Sequence, residues 1–290
     1  MAIEGLCYLN GVFMPLAEAC LSVMDLGIQR GYGVFETLRT VEGQVYRLGA
    51  HLQRLVDSAA AIALPLPWDR AELAALVRET VRRAGYEETS LKVLVTGGIP
   101  RGLMDVEHPS LIIQATPFHP YPEVLYMEGV SAITYPATRS MTAAKTLDYA
   151  LAVVAWRAAQ ARGAHEALLV DHGLVREGTT CNVFAVVQGT LVTPGRDVLP
   201  GITRADVLTV ARIEGIPVAE RDLPLGELYQ ATEIFLTSAS RELLPVVRVD
   251  EQRVGTGVPG PITAALREAY RAYRRREIAR EQQAEGEVTD

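Results

Sequence analysis

Lysine is almost missing from this chain: of 28 lysines plus arginines, only Lys92 and Lys145 are lysine. Where a position asks only for positive charge, either side chain serves. An amine can lose its proton and attack a carbonyl, whereas a guanidinium effectively cannot, so lysine persists in an arginine-rich composition where an amine is needed. Each of the two is therefore weighed as a candidate nucleophile against an ordinary surface cation. Cysteine is scarce too. Cys7, Cys20 and Cys181 are odd in number, far apart and outside any C-x-x-C or Cys/His metal spacing. That excludes a disulfide framework and a zinc site, and it predicts three reduced, packed thiols.

Other absences narrow the class further. No stretch approaches the roughly eighteen uncharged apolar residues of a membrane span, and the opening MAIEGLCYLNG has neither a basic start nor an apolar run of signal-peptide length. A soluble, cytoplasmic protein is expected. Positive charge is in deficit, with a net charge of −7 and a pI near 5.4. With no arginine cluster interleaved with aromatics, this argues against a nucleic-acid surface and for a small-molecule partner.

What the chain does have is length and apolar content, 290 residues at 49% hydrophobic, enough for one large domain or two modest ones. Leu6 to Leu9, Asn10-Gly11 and Val12 to Met14 read as a hairpin. Strands follow at Gly33 to Thr40 and Gln44 to Arg47. A helix from about Gly49 to Ala63 puts Leu52, Leu55, Val56, Ala59 and Ile62 on one stripe. Asp69 with Glu72 makes a capping box for a helix that Gly85 stops. Leu91 to Val95 and Ser110 to Ala115 look like buried strands. Three prolines near 116–128 mark a linker, so residues 1–118 are expected to form a small α/β domain, 119–128 the linker and 129–290 a larger domain.

In that second part the pattern predicts a strand at Val130 to Tyr135, a long helix from Thr146 to Arg162, and paired strands at Glu166 to Val170 and Leu174 to Glu177. Further strands are expected at Val183 to Val187, Leu191 to Thr193, Val218 to Arg221 and Glu233 to Thr237. Helices are expected after Ile202 and from Thr263. The stretch from about Glu277 to Asp290 is charged and apolar-poor, so its end reads as a frayed helix or as disordered.

Three local features suit a phosphorylated, electron-withdrawing aldehyde. Gly201-Ile202-Thr203-Arg204 opens a helix, whose free amides and dipole can receive a phosphate. Arg54, one turn from His51, can clamp a phosphate in bidentate fashion. Glu177 closes a strand before a glycine, and a carboxylate beside a pyridine nitrogen keeps that nitrogen protonated. The ordinary alternatives are a plain helix start, a solvated arginine and a strand-end glutamate facing water.

Read in order, Gly33-Val34-Phe35-Glu36, His51-Leu52-Gln53-Arg54-Leu55, Lys145-Thr146-Leu147-Asp148-Tyr149, Glu166-Ala167-Leu168-Leu169 and Glu177-Gly178-Thr179-Thr180-Cys181-Asn182 resemble the class IV, or fold type IV, aminotransferases. Leu199-Pro200-Gly201-Ile202-Thr203-Arg204, Glu233-Ile234-Phe235-Leu236-Thr237 and Gly260-Pro261-Ile262-Thr263 continue the resemblance, which runs from about Tyr8 to Tyr270. It implies a two-domain α/β fold, a small N-terminal domain before a larger pseudo-barrel domain, and pyridoxal 5′-phosphate as cofactor. It implies that Lys145 holds the cofactor and shuttles the proton between substrate Cα and cofactor C4′. It gives Arg54, Ile202, Thr203 and Ser240 to the phosphate, Tyr149 to the ring hydroxyl and Glu177 to the ring nitrogen. Phe35, Thr180, Ala239 and Ser240 would meet substrate, and the enzyme would be a homodimer acting on amino acids and 2-oxo acids. Asp148 departs from the family's usual asparagine, and Ala239 from a phosphate-contacting threonine.

Within the family, Arg30-Gly31-Tyr32-Gly33 together with Lys92 resembles an atypical group of D-amino-acid transaminases whose two basic residues bind carboxylate. Two cations in one pocket call for an anionic substrate. Gly178-Thr179-Thr180 lacks that group's third arginine, and the C-terminal half reads as easily like a branched-chain L-amino-acid enzyme. D-amino acids are the first expectation, branched-chain L-amino acids the second and an aminodeoxychorismate lyase the third.

Overall fold

The computed structural model describes residues 4–289, with side chains to residue 283. The chain forms two compact units, the first running to His119 and adding Ala143–Asp148, the second holding Pro120–Thr142 and the chain from Tyr149 onward. Together they make a mixed α/β fold with one sheet in each unit.

The first unit contains β1 (Leu6–Leu9), β2 (Val12–Pro15), α1 (Leu26–Arg30), β3 (Gly33–Val41), β4 (Gln44–Val45), α2 (Leu48–Ala61), α3 (Arg70–Ala84), β5 (Thr89–Thr96) and β6 (Ser110–Pro117). Its antiparallel sheet runs β2-β1-β6-β5-β3-β4. The helix stripes that hydrophobic spacing marks out, Leu52, Leu55 and Ala59 on α2 and Leu73 and Val77 on α3, bury against Leu38, Leu91, Val93 and Ile113. The Asp69–Glu72 capping box forms, with 2.8 Å bonds in both directions, and Gly85 ends α3 at φ 69°. Because alternate strand residues face opposite sides, Glu36 shares the helix-facing side of β3 with Val34 and Leu38, leaving Phe35 on the other.

The second unit contains α4 (Glu123–Glu128), β7 (Val130–Pro136), α5 (Ala150–Ala161), β8 (Glu166–Asp171), β9 (Leu174–Gly178), β10 (Asn182–Val187), β11 (Thr190–Thr193) and α6 (Ile202–Ile213). After these come β12 (Val218–Glu220), β13 (Leu223–Pro224), α7 (Leu225–Tyr229), β14 (Glu233–Ser238), β15 (Glu242–Val249), β16 (Gln252–Arg253) and α8 (Pro261–Thr289). Its strands form one sheet in the order β12-β11-β10-β14-β15-β7-β8-β9-β13, with β16 beside β15. Helices α6 and α8 bury Val207, Leu208, Leu266 and Tyr270 against the stacked rings of Phe184 and Phe235. Helix α5 lays Ala155 and Ala159 on Ile133, Ala167 and Leu169.

Several expectations change. The helix expected from Thr146 begins at Ala150, because the preceding backbone is already paired: Leu147 N–H donates to Gly33 O and Lys145 O accepts from Phe35 N–H, each at 2.9 Å. Strand β15 gives no clear signal because Pro245 interrupts its apolar run, and proline disfavours a central strand; it nevertheless pairs with β14 on one side and β7 on the other. The stretch read as a linker includes the helical turn α4. Helix α8 extends to Thr289, with Ile278 2% exposed; Asp290 lies outside the described residues, as do Met1 to Ile3 of the opening segment. Cys20 is exposed rather than packed, since it lies on the loop after Leu16–Glu18, whereas Cys7 and Cys181 are buried. Among the described residues no helix is long and apolar enough to cross a membrane.

Candidate active site

In the first unit the site begins at Lys145, 8% exposed. Its backbone is fixed on three sides: Lys145 N–H donates to Ser58 Oγ at 3.0 Å, its carbonyl pairs with Phe35, and Thr146 bridges Val34. The Nζ atom lies 4.4 Å from the centre of the Phe35 ring. Lys92 Nζ lies 5.8 Å from the centre of that same ring. The chain's two lysines thus converge on one aromatic side chain. Lys92 itself is an exposed β5 residue paired with Thr37 and Gln114. Glu88, directly before the same strand, is bonded to Thr40 Oγ1 and Glu42 N–H.

Arg54 is not a solvated surface arginine. Its Nε and Nη2 donate to Glu36 Oε1 and Oε2 at 2.8 and 2.7 Å, while His51 Nδ1 lies 2.7 Å from Oε2. Glu36 is fully buried. Burial alone would raise its carboxyl, but the Arg54 and His51 bonds outweigh that and bring it down to about 2. His51 is held below its ordinary value, first by burial and then by the Arg54 and Lys145 charges, with Glu36 opposing. Arg30 ends the five-residue α1, where it is exposed and donates to Gln29 O at 3.0 Å.

In the second unit Glu177 is buried at the end of β9. Its Oε2 accepts the Leu199 N–H at 3.0 Å and its Oε1 is ion-paired with Arg139 Nε at 2.9 Å. Leu199 continues the network: its carbonyl accepts from Asn182 Nδ2 at 2.9 Å, and Asn182 Oδ1 fills the space where a Cβ on Gly201 would sit. Only glycine fits there. Glu177 and the Ile202–Thr203 helix start are thereby brought together through Leu199–Gly201. Helices α6 and α8 differ at that end. Glu233 accepts from Ile262 N–H, Thr263 N–H and Thr263 Oγ1, and its carboxyl group takes the space a Cβ on Gly260 would need, so a carboxylate closes α8. Helix α6 starts from Gly201 with no side-chain cap.

Thr180, Ala239 and Ser240 are joined by a residue that sequence reading passed over. Arg241, directly after Ser240, donates from Nη2 to Thr180 Oγ1 at 2.9 Å and from Nη1 to Glu166 Oε2 at 2.6 Å. Tyr149 stands at the N-cap of α5, half-buried, without capping the helix through its side chain. Asp148 is exposed beside it. Arg139 and Arg241 belong to none of the recognised motifs; their partners Glu177 and Glu166 do, and a buried carboxylate requires a cation. Among the described residues no group of three or more His, Cys, Asp or Glu side chains is placed to hold a metal ion.

The amino-transferase class IV family model matches residues 33–249. A D-alanine aminotransferase of Bacillus licheniformis is 34% identical, the alignment covering 90% of this chain and 94% of that protein. A branched-chain-amino-acid aminotransferase of Pseudomonas aeruginosa is 32% identical, with 92% of both covered. Among solved structures, a T.th. branched-chain amino acid aminotransferase with pyridoxamine 5′-phosphate superposes with a TM-score of 0.87 at 31% identity, covering 93% of this chain and 94% of that one.

Proposed function

The chain belongs to the class IV aminotransferases, pyridoxal 5′-phosphate-dependent enzymes, and on that premise we propose that its amino donors are D-amino acids and its acceptors 2-oxo acids. The residues present fit the cofactor. The α6 start offers amides that no side chain caps, a place for a phosphate. Glu177 pairs with Arg139, which favours the carboxylate form needed opposite a protonated pyridine nitrogen. Lys145 supplies a buried amine.

When bound, the cofactor supplies an electrophilic aldehyde carbon conjugated to an electron-withdrawing ring. In this reading Lys145 would hold that carbon and, once released as a neutral amine, would move the proton between substrate Cα and that same carbon. Arg54, oriented by Glu36, and the Ile202 and Thr203 amides hold phosphate; Glu177 holds the ring nitrogen and Tyr149 the ring hydroxyl. Ser240 serves phosphate or substrate. Phe35 walls the substrate side against water, and Thr180 and Ala239 receive the substrate.

The observation that carries the substrate class is the pair of lysines on Phe35. Lys92, an exposed cation near the ring that the reactive amine also approaches, offers a charged partner to a substrate carboxylate, and Lys92 with Arg30 matches the basic pair of the atypical D-amino-acid transaminases. A second reading, branched-chain L-amino acids, is supported by the Pseudomonas aeruginosa relative and by the apolar Phe35 ring. Single-turnover reactions of the yellow holoenzyme separate the two: D-alanine is expected to bleach the absorbance and L-leucine to leave it, and the reverse would transfer the assignment. Lys145→Ala should abolish exchange with either substrate. The same proposal includes a homodimer, and a fully active monomer on gel filtration would remove that part.

A further inference from the structure

Two turns of the second unit carry Thr180, Ala239 and Ser240, assigned above to substrate: Gly178–Cys181 at the end of β9 and Ser238–Arg241 joining β14 to β15. They are fastened together by one buried ion pair. Arg241, 8% exposed, and Glu166, fully buried, lie 2.6 Å apart and 75 positions apart in the chain. Each end also grips its own turn. Arg241 N–H donates to Ser238 Oγ at 3.3 Å, its carbonyl accepts from Tyr126 Oη at 2.8 Å, and its Nε reaches Tyr121 Oη at 3.1 Å. Glu166 Oε1 accepts from Thr179 Oγ1 and Thr179 N–H, and its Oε2 accepts from Cys181 Sγ at 3.5 Å. Burial would raise the Glu166 carboxyl; the Arg241 charge and the Thr179 hydroxyl outweigh it and hold it below the usual carboxylate range.

The consequence falls on Thr180, whose side chain is exposed although its oxygen accepts from the buried Nη2 of Arg241. A hydroxyl has one proton to give. With the oxygen turned to a guanidinium, that proton is left to donate outward, and a charge-assisted bond on the oxygen strengthens it as a donor. We propose that Arg241, held by Glu166, is a positioning residue that sets the Thr180 hydroxyl as a hydrogen-bond donor to the substrate carboxylate. Arginine is needed because three nitrogens reach three partners at once, Glu166, Thr180 and Tyr121. This inference rests on the assignment of Thr180 to substrate in the proposed function.

The test is steady-state kinetics of the holoenzyme and three variants, Arg241→Lys, Thr180→Val and the pair combined, on D-alanine and L-leucine with 2-oxoglutarate. Lysine keeps the charge for Glu166 but brings one nitrogen, and Thr180→Val changes an exposed side chain, so both folds should hold. Each single variant is expected to raise KM for the accepted amino acid about tenfold, the value of one hydrogen bond to a charged group, with kcat changed far less and the yellow absorbance kept. The double variant should be no worse than the poorer single one, because both remove the same donor. Effects that multiply in the double variant, or an Arg241→Lys enzyme that melts earlier with KM unmoved, would overturn the positioning role. A wild-type protein that is colourless and exchanges no amino groups would overturn the underlying functional reading instead.

Discussion

Glu36–Arg54 in the first unit and Glu166–Arg241 in the second are both buried carboxylate–arginine pairs, and the two are built differently. Glu36 and Arg54 stand 18 positions apart, on a strand and the helix that follows it, and share their carboxylate with His51. Glu166 and Arg241 stand 75 positions apart and share theirs with two turns. A local pair fixes the plane of one side chain, here the arginine assigned to phosphate. A long-range pair aligns two stretches of backbone that reach the site independently. The lesson is that identical chemistry, a guanidinium on a carboxylate in low dielectric, orients a ligand-binding group in one place and a pair of loops in the other.

Breaking the local pair should have the largest effect on cofactor retention. Glu36→Gln removes the charge that neutralises a mostly buried arginine, and losing one partner of a buried ion pair costs about 3 to 5 kcal/mol. Thermal unfolding is expected to show the loss directly, and dialysis should strip cofactor from the variant faster than from the wild type. If the variant melts as the wild type does while retaining cofactor, Arg54 is not held by Glu36 in solution. Glu166→Gln, by contrast, should keep its cofactor and lose affinity for the amino acid.

Acid sharpens the same contrast. Glu36 is depressed to about 2 in the folded chain, so its contribution is complete above the ordinary carboxylate value near 4.5 and is lost as pH falls toward about 2. His51 acts in the same direction: with its folded value lowered, the unfolded chain takes up a proton first as pH drops below about 6.5, its unperturbed value. Unfolding free energy should therefore decline on the acid side in two stages, each with a slope of at most about 1.4 kcal/mol per pH unit per proton. His51→Phe should shrink the upper stage, leaving the part that half-buried His165 contributes, and should move the lower stage only as far as the lost His51 bond to Glu36 allows. A wild-type acid limb that is flat between these values would contradict the burial of both groups.

The extent to which this was legible in the sequence follows from the range of each signal. The Asp69–Glu72 box, the Asn10-Gly11 hairpin and the α2 stripe are local, and residues within one turn of one another state them. Composition brought Lys145 forward as one of two lysines, and the Lys145-Thr146-Leu147-Asp148-Tyr149 motif chose between them. Its strand-like setting could not, because the partners that stop α5 from starting at Thr146 are Gly33 and Phe35, more than a hundred positions away. The same holds for Arg139 and Arg241. Each is one arginine among many until the fold brings it to a buried carboxylate. The motif residues Glu36, Glu166 and Glu177 were visible; what they neutralise was not.

A third pair tests whether burial or acidity is the operative property. Glu79 on α3 is also brought down to about 2, by hydrogen bonds from Arg82 and Arg83, the same value that Glu36 reaches. Yet Arg82 and Arg83 are 71% and 47% exposed, and Glu79 itself is 31% exposed. Water and salt screen such pairs, and the entropy of holding three long side chains offsets what attraction remains. Glu79→Gln is accordingly expected to leave the melting temperature and the acid limb where they are, at low and at high salt. A Glu79→Gln loss comparable to that of Glu36→Gln would mean that the shift in acidity, and not the dry surroundings of the Arg54 pair, sets the energetic ranking.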